Sequence, residues 1–72
     1  MHAAFTWENF RRKDGTLDLW AALIDRAPKH HVAANVRRAM DFLDECEEMC
    51  PLRNPEAASI ALANALRIVR GE

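Results

Sequence analysis

The chain has 72 residues, 50% of them hydrophobic, with two Gly, three Pro and a formal net charge of −1. This composition excludes a disordered or collagen-like chain, and the length allows one domain, 1–72, near the lower limit for folding alone. No apolar run approaches the roughly 18 residues a membrane span needs. The first six residues lack the basic and apolar regions of a secretory leader, so no membrane association and a cytoplasmic location are expected.

In chain order, Thr6 is a good N-cap for a short helix over 7–13, with Gly15 at its C-terminal cap. Thr16 then caps a second helix over 17–27, on which Leu17, Trp20, Ile24 and Ala27 form one stripe that reads as core. Pro28 suits the start of a new helix rather than the middle of a long one. That third helix spans 29–50 and ends before Pro51. Asn54-Pro55-Glu56 supplies an N-cap, a proline at the first helical position and an acid in the first turn, so the last helix covers 55–70 with Gly71 beyond it. Nothing alternates with period two. The fold expected is all-α: a small bundle of three main helices plus a short N-terminal helix.

The long helix carries the clearest pattern. Val32, Val36, Ala39, Leu43, Cys46 and Cys50 follow one another at four- and three-residue steps, a seam on one face. On another face lie Asp41, Asp44, Glu45 and Glu48, led by Arg37 and Arg38. With Glu47, five acids crowd the end of the helix, where carboxylates meet the negative end of the macrodipole at a cost of about 0.3–1 kcal/mol each. A sequence tuned for stability alone would place Lys or Arg there. The last helix is apolar nearly all round, interrupted by Glu56, Ser59, Asn64, Arg67 and Arg70. Such a helix wants cover on more than one side, which points to a homodimer or a docked partner.

Charge is also unevenly divided along the chain. Residues 1–38 hold seven Lys and Arg against four Asp and Glu, and residues 39–72 hold three against seven. Head-to-tail self-association or a bipolar partner surface would both use that asymmetry, although a solvated surface needs neither.

Chemistry-bearing constellations are few. Cys46 and Cys50 are four apart on one helix, a spacing open to metal, redox or disulfide chemistry but also to two small core residues. The other soft ligands, His2, His30 and His31, lie far along the chain, the histidine pair at the opposite end of the same helix. No Gly-rich phosphate loop, catalytic triad order or cleft-type carboxylate pair is present, so no enzyme and no cofactor are expected. Phe5, Trp7 and Phe10 beside Arg11, Arg12 and Lys13 could grip nucleic acid, or could simply staple a short helix to the bundle.

The leading expectation is therefore a small non-enzymatic protein-binding regulator or inhibitor. It would block a basic protein surface, possibly that of a nucleic-acid-binding protein, with Asp41, Asp44, Glu45 and Glu48. In size and style the chain resembles the small accessory proteins of bacteria and phages, such as antitoxins, anti-activators and inhibitors of defence systems. A second expectation is a DNA-binding transcriptional regulator with a degenerate helix-turn-helix, using Arg11, Arg12, Lys13, Arg37 and Arg38. A third is a metal or redox protein using Cys46 and Cys50.

Overall fold

A computed structural model of the chain describes residues 6–27, 32–49 and 53–72. A 3-10 turn, Trp7–Phe10, precedes three helices: α1 (Leu19–Arg26), α2 (Ala33–Met49) and α3 (Pro55–Val69). Among the described residues there is no strand, and the chain is the small all-α bundle its periodicity implies. No helix is long and apolar enough to cross a membrane.

α3 is the hub. α2 lies along it, α1 leans on it from another side, and α1 and α2 make little contact with each other. The α2–α3 pair is antiparallel, because Asn35 in the first turn of α2 donates through Nδ2 to the carbonyl of Val69 in the last turn of α3 at 3.3 Å. The caps of α3 follow the sequence closely. Asn54 accepts from the Glu56 N–H at 2.8 Å, with Pro55 at the first helical position. At the other end Gly71 adopts φ +85°, Glu72 N–H donates to Arg67 C=O at 2.9 Å and Gly71 N–H to Ile68 C=O at 3.0 Å. This is a Schellman closure, and with the Asn35 bond it satisfies carbonyls that a helix end otherwise leaves open.

The amino-terminal segment departs from expectation. The helix expected over 7–13 stops after one 3-10 turn, and the chain then doubles back in a tight hairpin. Arg12 N–H donates to Thr16 C=O at 2.7 Å, Gly15 N–H to Arg12 C=O at 3.0 Å, and Asp18 N–H to Phe10 C=O at 2.7 Å, with Arg11 and Leu17 bridged antiparallel. Asp14-Gly15 is the cause. Asp14 Oδ1 accepts from both the N–H (2.9 Å) and the hydroxyl (2.6 Å) of Thr16. Gly15 takes φ +90°, which closes a three-residue hairpin loop and is unusable inside a helix. Thr16 is thus buried in the hairpin and is not the cap of α1. Asp18 takes that role, accepting from Ala21 N–H at 3.1 Å, and α1 begins at Leu19 rather than 17. The expected limits of the long helix, 29 and 50, fall outside the described residues.

The core is thin. Its largest fully buried side chains are Leu17, Leu19, Leu23 and Leu43, and much of the remainder is alanine: Ala22, Ala39, Ala58, Ala61 and Ala65. Alanines on α3 let both neighbours approach closely. Trp7 closes one end, its ring edge-on to Phe10 (centroids 6.4 Å apart) and its Nε1 donating to Ser59 Oγ at 2.8 Å. The whole measures 36 × 32 × 17 Å, so its short axis is less than two helix diameters of about 10–12 Å.

The α2 seam is buried only in part. Ala39 and Leu43 are fully enclosed and Val36 and Cys46 half-buried, but Val32 is 60% exposed. The stripe of Trp20 and Ile24, read from sequence as core, is 41% and 62% exposed. The buried residues of α1 are Leu19, Ala22 and Leu23, which face α3 and the 3-10 turn. Because α1 leans on α3 and not across α2, its adjoining stripe is left open.

Candidate functional site

With Ala39 and Leu43 fixed inward, helical geometry decides where the acids of α2 go. Positions 41, 45 and 48 fall on the side away from the core and are exposed; Asp44 lies at the edge of that face and is half-buried. Asp41 and Glu45, like Asp44 and Glu48, are four residues apart, so like charges stack along the face. Among the described residues no cation comes within 4 Å of any of these four carboxylates. Arg37 and Arg38, exposed on the same side one turn earlier, form no ion pair with them.

The fifth acid differs. Glu47 turns toward the hairpin, where its Oε1 is buried without a hydrogen bond and stands 3.7 Å from Arg12 Nη2. Arg12 also reaches Asp18 at 3.4 Å and the Thr16 hydroxyl at 3.5 Å. Arg11 pairs with Glu8 at 3.0 Å and donates to the Gly15 carbonyl at 3.0 Å. Arg53, just before α3, donates to the Asp14 carbonyl at 2.8 Å. Part of the charge asymmetry along the sequence is therefore consumed inside the fold, the basic hairpin meeting the acidic end of α2.

The five basic candidates do not converge on one surface. Arg12 sits beside Glu47, and Arg37 lies ten residues earlier on α2, about 15 Å along the axis. Lys13 is exposed at the hairpin tip. Cys46 is a free thiol, half-buried against the core. Cys50, His2, His30 and His31 lie outside the described residues. Among the described residues no group of three or more His, Cys, Asp or Glu is placed to hold a metal ion.

Beside the acid face runs a feature that sequence reasoning missed. Between α1 and α2 a cavity of about 370 Å³ opens to solvent, lined by Trp20, Ala33, Val36 and Met40 and bordered by Arg37, Asp41 and Asp44. Its apolar lining, Trp20 on α1 and Ala33, Val36 and Met40 on α2, comes from two separate helices, and their being left apart depends on the lean of α1. On α3 the exposed apolar surface expected all along one side reduces mainly to Ile60, 66% exposed, and Ala63. No protein-family model, curated protein or solved structure matches the chain.

Proposed function

We propose that this chain is a small non-enzymatic binding protein, a regulator or inhibitor of the accessory type working in the cytoplasm, that blocks a basic protein surface with the outer face of α2. The observation that carries this reading is the division of labour among the acids. Glu47 is taken up by Arg12, while among the described residues no cation lies within 4 Å of Asp41, Asp44, Glu45 or Glu48, which stand on the side of α2 away from the buried Ala39 and Leu43. Such an arrangement supplies complementarity to a basic surface and steers its approach. A target that ordinarily holds nucleic acid would meet carboxylates where it expects phosphates. In this reading the chain acts as a homodimer, which would cover the exposed apolar residues.

The test is capture from the source cell on the immobilised chain over a series of salt concentrations. A protein with a basic surface should be retained at low salt and released as salt rises, since exposed charges are screened beyond about 10 Å at 0.1 M. Retention of no such protein, or retention indifferent to salt, contradicts the reading.

A further inference from the structure

We infer that a second copy of this chain covers the groove between α1 and α2, with the two α2 helices antiparallel about a two-fold axis level with Met40. The inference rests on the self-association in the reading above, and not on its basic partner.

Two observations lead to it. First, the groove has an open apolar lining, Trp20 on α1 with Ala33 and the half-buried Val36 and Met40 on α2, and the exposed Ile24 lies one turn from Trp20; Met49 and Ile60 are exposed elsewhere. A chain of this size with so thin a core gains most by burying a second face against another copy. Second, the groove border carries charges of both signs, Arg37 with Asp41 and Asp44, and Arg37 and Asp44 are placed to pair between two copies. Ala33, Arg37, Met40 and Asp44 follow at steps of four, three and four, so they form one seam along α2, and all four line the cavity. Arg37 precedes Met40 by three residues and Asp44 follows it by four. Turning one α2 about an axis at this level sets Arg37 of each copy opposite Asp44 of the other, with the two Met40 side chains meeting at the centre. An isologous contact requires this kind of pairing, in which residue i meets j and j meets i. A uniformly basic partner would instead set a like charge against Arg37. Glu45 and Glu48 do not line the groove, so each copy keeps them outward.

The experiment is sedimentation equilibrium of the full chain, with helicity followed by circular dichroism for every variant. Wild type is expected at twice the 8.2 kDa chain mass at micromolar concentration. Met40→Glu is expected to give a monomer of unchanged helicity. Arg37→Asp and Asp44→Arg should each weaken association by about tenfold or more, and the double variant R37D/D44R should recover most of the loss. Ile60→Arg on α3 should leave the mass unchanged. A monomeric wild type overturns both this inference and the homodimer in the reading above. A dimer broken by Ile60→Arg and not by Met40→Glu, or a double variant with no recovery, overturns the groove interface alone.

Discussion

Arg12 Nη2 lies 3.7 Å from Glu47 Oε1, joining the amino-terminal hairpin to the last turns of α2. The contact separates one acid of the cluster from the other four. It is partly solvated, so its direct worth is small, about 0.2–1 kcal/mol. The two ends are not equivalent, however. Glu47 Oε1 is buried with no hydrogen bond, and among the described residues Arg12 is the one cation within 4 Å of it. Arg12→Ala should therefore destabilise more than Glu47→Ala, because the first change leaves a buried carboxylate oxygen uncompensated. Urea unfolding of the two single variants checks this; equal losses, or a larger loss from Glu47→Ala, contradict it.

Trp7 anchors the amino-terminal turn to α3. Its ring is buried and its Nε1 bonds to Ser59. Trp7→Phe keeps most of the apolar contact and loses the donor, for an expected cost of about 1 kcal/mol. Trp7→Ala removes the ring and should cost about 3–5 kcal/mol. Denaturant midpoints should rank wild type, Trp7→Phe, Trp7→Ala in falling order. A Trp7→Ala variant within error of wild type would mean that the hairpin is not docked.

Gly15 carries the hairpin turn. At φ +90° a side chain is strained, and a Cβ there would stand 3.2 Å from Arg53 Nη1, the group that donates to the Asp14 carbonyl. Gly15→Ala should lower stability by about 1–2 kcal/mol from backbone strain alone. Lys13→Ala at the neighbouring exposed position should be nearly silent. Thermal melts of the two variants distinguish a turn that needs glycine from a loop that tolerates any residue.

The hairpin also gives the fold a dependence on acid. The two Thr16 hydrogen bonds hold the Asp14 carboxyl below its ordinary value of 3.8, outweighing an opposing cost of desolvation, with lesser help from Arg53 and Arg12. A carboxyl depressed in the folded state contributes stability that is present above the unfolded value and is lost as pH falls through the folded one. Asp14→Asn should accordingly be less stable than wild type at pH 7, and the difference should shrink as pH drops below 3.8. Denaturant midpoints at pH 7 and pH 3 test this, and a difference that does not change with pH contradicts it.

The parts of the fold legible in the sequence were those fixed by local chemistry. Asn54-Pro55 and Gly71 bound α3 as expected, and Ala39 with Leu43 oriented α2, so the outward position of Asp41, Glu45 and Glu48 followed from helical spacing alone. Thr6 and Gly15 have the chemistry of helix caps, yet no helix spans 7–13. Asp14-Gly15 between Arg12 and Thr16 is a hairpin signal in its own right, and it outweighed weak helix propensity. Trp20 was misplaced for a different reason. Its stripe has the spacing of a core face, but which of two adjacent stripes on α1 is buried depends on where α3 lies, and no local pattern encodes that. The groove was hidden for the same reason.

The central claim is that the outward acids of α2 serve a partner and not the fold. The most direct measurement compares wild type with a variant carrying Glu45→Lys and Glu48→Lys, with Asp41 and Asp44 retained because both border the groove. Both would be immobilised and used to capture proteins from the source cell after circular dichroism has shown equal helicity. The account predicts that a basic protein held by wild type is lost from the reversed variant, while folding is unchanged. The same protein held equally by both, or a variant that unfolds because these acids support the helix, would contradict it.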